Sequence, residues 1–257
     1  MSYRKIVVLY AVFVLVLIGM GTRVYAVNVP IPQFDMDFNI TTTDDPATLA
    51  PTLQLFFLIS IITLAPTLIL MFTSFTRIIV VLHFLRSAMG TQQMPPNQVL
   101  IGLALFLTFF VMGPVITEIN ENALIPYTGG QITQQEALDR GWEPLQRFML
   151  DQVSVTDVQL FASLAGVEMF ETPQDVPARI LIPAFILGEL TRGFIIGFIL
   201  YLPFVVIDMI VASILMSMGM MMLPPAMISL PFKILLFILA GGWAQILEYV
   251  LLTFRAT

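Results

Sequence analysis

The chain has 257 residues, of which 58% are hydrophobic and only 11% charged, with a formal net charge of -6 and a mean hydropathy of +0.93. Several uncharged runs approach twenty residues, which marks a polytopic membrane protein and excludes a soluble core of ordinary composition. Cysteine is absent and histidine occurs once, at His83, so disulfides, thiolate or multi-histidine metal sites, a cysteine nucleophile and a histidine triad lack their residues; we expect no catalytic residue, metal or cofactor.

Residues 1–26 read as an export signal: Arg4 and Lys5 precede the apolar run Ile6 to Met20, and Val24-Tyr25-Ala26 matches a small-residue cleavage site. Residues 27–51 carry Asp35, Asp37, Asp44 and Asp45 without a Lys or Arg, which suits a solvated lead-in outside the cytoplasm. Residues 52–117 are expected to form a first apolar helical hairpin. Its first span is Thr52 to Thr76, kinked at Pro66, and its second is Val99 to Thr117. Between them Arg77, His83 and Arg86 occur without an acid, followed by the polar break Gly90 to Asn97, and short basic connections favour the cytoplasm. Nine residues separate Arg77 from Arg86, about 180° around a helix, so there is no basic stripe for nucleic acid.

Residues 118–178 hold ten acidic side chains against Arg140 and Arg147, a net charge of -8. This segment is expected to be mostly helical and periplasmic, a solvated rim or a subunit contact. Thr133-Gln134-Gln135-Glu136 is a capping-box pattern. Gly141 and Pro144 suggest an interruption of the helix it opens, and a second short helix is expected near Thr156.

Residues 179–257 form the second apolar hairpin, in which Ile180 to Phe254 contains five formal charges: Glu189, Arg192, Asp208, Lys233 and Glu248. Charges in such surroundings persist when they pair or face a wet cavity. Glu189 and Arg192 stand i, i+3 and can pair on one helix face or reach a neighbouring chain; Asp208 and Lys233 are further ion-pair and assembly candidates. Ala184/Gly188 and Gly193/Gly197 are small-xxx-small pairs that let helices approach closely. Ile180 to Ile207, 28 residues, spans about 42 Å as helix against a hydrocarbon core of about 30 Å, so it tilts or projects before Asp208 interrupts it.

Met220, Met221 and Met222 then stand between Gly219 and Pro224-Pro225. Thioethers are flexible and polarisable, and a Pro-Pro pair is expected to end the helix before it. Non-helical backbone inside an apolar region is tolerated where it is buried in protein or lines a cavity, which makes this run a soft apolar plug rather than filler. Ser229 and Lys233, i, i+4, could face each other for Ser-Lys chemistry; the plainer reading is a loop serine and a snorkelling lysine.

The blocks Pro66 to Ile79 (PTLILMFTSFTRII), Gly90 to Leu100 (GTQQMPPNQVL), Gly102 to Met112 (GLALFLTFFVM), Pro183 to Gly197 (PAFILGELTRGFIIG) and Met220 to Pro225 (MMMLPP) resemble the FliP family of flagellar export-gate proteins. Injectisome relatives of the SctR type share the pattern. The resemblance covers Leu49 to Phe254 apart from the acidic segment.

The resemblance implies an all-α polytopic membrane protein of long apolar hairpins, raised largely out of the bilayer plane and partly covered by partner proteins, with membrane lipid around the rest. It also implies a non-enzymatic subunit of the flagellar type III secretion apparatus, in the bacterial inner membrane at the flagellar basal body. There it would form a homo-pentamer with FliQ and FliR, alongside other export apparatus proteins, for the passage of unfolded flagellar subunits. The family's methionine gate maps onto Met220, Met221 and Met222. The alternative is a proton-coupled transporter titrating Glu189 or Asp208, against which the chain offers no inverted repeat with paired broken helices.

Overall fold

The computed structural model is a succession of helices whose breaks fall at glycines, prolines or short polar runs, although Pro114, Pro144, Pro183, Pro203 and Pro231 lie inside helices without ending them. It describes residues 46–91, 94–167, 170, 172–220 and 222–254. The export-signal expectation for 1–26 and most of the 27–51 lead-in lie outside the described residues. Two units divide the chain, Met1–Leu53 and Gln54–Thr257; apart from the first turns of α1, everything that follows lies in the second. Among the described residues all regular elements are helical.

Helix α1 (Pro46–Met71) stops at a short break in which the Thr73 hydroxyl donates to the Leu70 carbonyl at 2.8 Å. Helix α2 (Phe75–Met89) ends at Gly90, whose φ of 67° closes the last turn. Helix α3 (Asn97–Ile119) passes through one wide turn (Asn120–Leu124) into the short α4 (Ile125–Thr128). In the acidic segment α5 (Gln134–Gln152) and α6 (Val155–Leu164) precede a single tight turn at Pro173–Asp175. The last 80 residues hold α7 (Ala178–Ser217), α8 (Pro225–Leu239) and α9 (Gly242–Leu252).

The centre of the unit is α2. Its Ile78, Val81, Leu82 and Leu85 recur at three- and four-residue spacing and are fully buried or nearly so, which is the pattern of a helix with one face in a core. Leu100 and Ala104 of α3, Ile196 of α7 and Val250 of α9 close over that face. A second cluster joins Met149 of α5 and Ala162 of α6 to Ile180, Leu181 and Phe185 at the start of α7.

Among the described residues two helical stretches are long and apolar enough to cross a membrane, Asn97–Thr128 and Ala178–Ser217, and α8 with α9, bent by 61°, makes a third if taken as one span. The first apolar arm, expected over Thr52 to Thr76, corresponds to α1 (Pro46–Met71), which ends five residues earlier at the break of Phe72–Ser74 that separates it from the Arg77-bearing α2.

The interruption expected at Gly141 and Pro144 is absent: α5 runs through both, with Pro144 buried inside it. Thr133 does cap α5, accepting from the Glu136 N–H at 3.3 Å, while the Glu136 carboxylate turns to Arg140 at 2.7 Å, leaving the capping box half made. The second short helix begins at Val155, capped by Ser154 accepting from the Asp157 N–H at 3.1 Å.

Nor does Asp208 interrupt α7, which continues nine residues beyond it to Ser217. Forty residues of helix extend about 60 Å at 1.5 Å per residue, longer than a perpendicular crossing requires.

Candidate functional site

The methionine turn joins α7 to α8. Met218 is the last half-helical residue of α7, and Gly219 follows with a φ of 74°. The Gly219 N–H reaches the Met216 carbonyl at 3.1 Å and the Met220 N–H reaches the Leu215 carbonyl at 3.0 Å. This pair of bonds is a Schellman cap, which requires a left-handed residue that glycine adopts without steric cost.

Gly219 therefore ends α7. Pro224 and Pro225 do something other than the sequence reading expected: Pro224 is the extended N-cap of α8 and Pro225 its first residue, a place where a missing N–H and a fixed φ suit a helix start. Between these caps the chain leaves its side chains outside. Met222 is 97% exposed and Met218 64%, while Met220 is half-buried. Met221 lies outside the described residues.

Beneath the turn the two arms are pinned by polar side chains. Lys233 of α8 donates to Asp208 Oδ2 of α7 at 2.6 Å, and the Ser229 hydroxyl donates to Asp208 Oδ1. Both α8 groups thus converge on one carboxylate. Ser229 spends its proton on Asp208 instead of facing Lys233, so the arrangement is a clamp and not a Ser-Lys pair. On the open side of the arms an apolar cavity of about 370 Å³ is lined by Ile210, Ile214, Ile228 and Phe232 among others.

The second polar centre is Arg77, fully buried on α2 beside fully buried Glu189 on α7. Nε donates to Glu189 Oε2 at 3.1 Å and Nη2 to Glu189 Oε1, the two-point fork that guanidinium makes with carboxylate. Nη2 also donates to Gln152 Oε1 at 2.9 Å, and Nη1 donates to the Thr253 carbonyl at 3.2 Å and its hydroxyl at 3.1 Å. The Phe254 ring covers the guanidinium, with Cζ 3.9 Å from the ring centroid. All five donors are engaged. Glu189 therefore takes Arg77 from another helix, not Arg192 from its own; Arg192 reaches Gln152 Oε1 at 3.4 Å instead.

The small residues of α7 seat this centre. A Cβ on Gly197 would stand 2.5 Å from the Phe84 ring of α2, on Gly193 3.1 Å from Val80, and on Gly188 3.2 Å from Asp157 Oδ2 of α6. Ala184 is fully buried in the same helix. The close approach is thus to α2 and α6 of the same chain, and it brings α7 near enough for the fork.

Sequence reasoning singled out Glu189, Asp208 and Lys233 as costly charges but passed over Arg77, Gln152, Thr253 and Phe254. Arg77 stood in an apolar stretch without a nearby acid, and that isolation was the available signal of a distant buried partner.

The family pattern described as the FliP family matches residues 58–250. Bacillus subtilis (strain 168) has a relative called "Flagellar biosynthetic protein FliP" that is 48% identical over 216 residues, covering 84% of this chain and 98% of that protein. Proteins of the same name from Pectobacterium carotovorum subsp. carotovorum and Treponema pallidum (strain Nichols) are 51% and 46% identical over 194 and 232 residues, or 76% and 90% of this chain and 75% and 84% of theirs. With the match running from α1 to α9 and through both polar centres, the chain belongs to the FliP family.

Proposed function

We propose that this chain is a non-enzymatic core subunit of the flagellar type III protein export gate, in which several copies, with FliQ and FliR, enclose a channel for unfolded flagellar proteins. Family membership carries the role in flagellar biosynthesis and export, and the two to three apolar helices suit a membrane location. The acidic segment 118–178 would then stand on the periplasmic side.

The observation that carries the gate reading is the methionine turn. A Schellman glycine and a proline-capped helix hold a short loop between α7 and α8, and its Met222 side chain is 97% exposed with no partner among the described residues. An isolated subunit gains nothing from such exposure. A ring of five would bring fifteen thioethers to one axis, where flexible apolar groups close against ions and repack around a passing chain of any sequence. The Asp208 clamp keeps the arms from splaying under that chain. Glu189, with both oxygens on Arg77, serves the scaffold in this reading and leaves no open face for a proton relay.

The test is replacement of Met220, Met221 and Met222 together by alanine, followed by ion conductance and secretion in membranes with assembled complex. Raised leakage with retained assembly is expected. Unchanged conductance together with unchanged secretion overturns the gate assignment.

A further inference from the structure

The buried charges of the Arg77 centre do not balance. Two guanidinium groups, Arg77 and Arg192, meet one carboxylate, Glu189, and that carboxylate is occupied by Arg77. Arg192 is half-buried, and its single hydrogen bond is the 3.4 Å contact to a Gln152 oxygen that Arg77 already holds at 2.9 Å. No carboxylate among the described residues forms an ion pair with it. An arginine on an apolar helix whose nearby carboxylate, Glu189, is already forked by another guanidinium is an expensive arrangement unless a neighbour supplies a further anion.

The surroundings of Arg192 say where that anion comes from. Arg192, Ile195, Ile199, Leu202 and Val206 follow one another at three- and four-residue spacing along α7. Ile195 is 54% exposed and Ile199 53%, so Arg192 heads an apolar strip that nothing among the described residues covers. The acidic segment has carboxylates to spare, because its two arginines are already spent: Arg140 on Glu136, and Arg147 on Glu118 and Glu143. Asp151 is exposed at the C-terminal end of α5, adjacent in sequence to the Gln152 that Arg192 touches, and therefore stands at the same level of the fold while facing outward.

We infer that Arg192 is a socket for a carboxylate from a second copy of this chain, and that Asp151 of that copy fills it while the two α7 strips are covered by the neighbour. The contact pairs an excess cation with an excess anion from the same sequence, so each copy in a closed ring can give one carboxylate and take one. This inference rests on the proposal that several copies assemble, and not on what passes between them.

The chain has no cysteine, which allows a direct test in the assembled complex. One tagged copy carries Arg192→Cys, a second, differently tagged copy carries Asp151→Cys, and mild oxidation is applied in membranes. A cross-linked band carrying both tags is expected, together with an at least tenfold loss of assembled complex in Arg192→Asp that Asp151→Arg restores. Thr191→Cys, on the same turn, replaces Arg192→Cys if that copy fails to accumulate.

Native mass of the same sample separates the outcomes. A lone monomer overturns the assembly reading and this contact with it. Several copies without a cross-link overturn the contact alone. Loss of co-purifying anionic phospholipid in Arg192→Ala, without a cross-link in the paired cysteine copies, assigns the socket to a lipid phosphate and likewise overturns it.

Discussion

Arg77 and Glu189 lie 112 positions apart in sequence and share a two-point salt bridge with essentially no solvent on either side chain. The pair joins α2 to α7, and through Gln152 and Thr253 it also holds the end of α5 and the end of α9. A buried pair of this kind contributes little net stability against an apolar replacement, but removing one partner strands the other charge.

Arg77→Met is therefore expected to lower stability by about 3–5 kcal/mol, the range for breaking a buried ion pair from one side. Arg77→Lys should fall nearly as far, because an ammonium cannot make the fork or satisfy Gln152 and Thr253 together. Joining Arg77→Met to Glu189→Leu should recover part of the loss by removing the stranded carboxylate. Thermal unfolding in detergent measures all three; a double variant less stable than the sum of its parts would refute the pairing.

Gly197 tests how closely α7 must approach α2. Its missing Cβ leaves room for the Phe84 ring, which an alanine would meet at 2.5 Å, whereas alanine at Gly193 would meet Val80 at 3.1 Å. Gly197→Ala should cost about 1–3 kcal/mol, as overpacking does, and Gly193→Ala less. Phe84→Leu in the Gly197→Ala background should not restore stability, since leucine keeps the Cβ and Cγ that would stand 2.8 and 2.5 Å from the added methyl. Equal losses at the two glycines would count against this ranking.

The residues show why some of this was legible in the sequence and some was not. Helix extents follow from local hydropathy and caps, so α3, the start of α7 and the Thr133 cap could be read directly, whereas the continuation of α7 past Asp208 could not. The close-packing glycines announced themselves by spacing alone, although not the helix they would meet. Pro144 could not be placed, because whether an internal proline breaks a helix depends on the packing that holds its neighbours, and here it is buried inside α5. The partner of Glu189 was hidden for a related reason: i, i+3 spacing favours Arg192, and only the fold brings Arg77 across. At the methionine turn the run itself was visible, but the glycine before it, not the proline pair after it, supplies the stop.

Gly219 makes that last distinction measurable. A Cβ there would meet nothing within 4 Å, so any cost of substitution comes from its φ of 74°. Gly219→Ala should destabilise by about 1–2 kcal/mol, the usual penalty of the left-handed region, and Gly219→Asn by less. Pro224→Ala removes only a cap residue and should be milder than Gly219→Ala. Thermal unfolding of the three variants ranks them; a Pro224→Ala loss larger than that of Gly219→Ala would return the helix stop to the prolines.

His83 supplies a pH dependence of known sign. It lies on α2, outside the candidate spanning helices, with its Nδ1 accepting from Arg86 Nη2 at 3.0 Å. Burial lowers its pKa below the ordinary histidine value, and the Arg86 charge lowers it further. The unfolded chain then binds the proton more readily than the folded one. The contribution of His83 to stability is present above the unfolded value of about 6.5 and is lost as pH falls from there through the lower folded value. Protonation also sets two cations side by side and ends the Arg86 bond, and Arg86 in turn holds Asn97 and the Pro95 carbonyl across the α2–α3 connection. Wild-type melting temperature should therefore drop between pH 7.5 and pH 5 by more than that of His83→Gln, whose side chain keeps an acceptor but does not titrate. Identical drops in the two proteins would assign the acid sensitivity to the carboxylates.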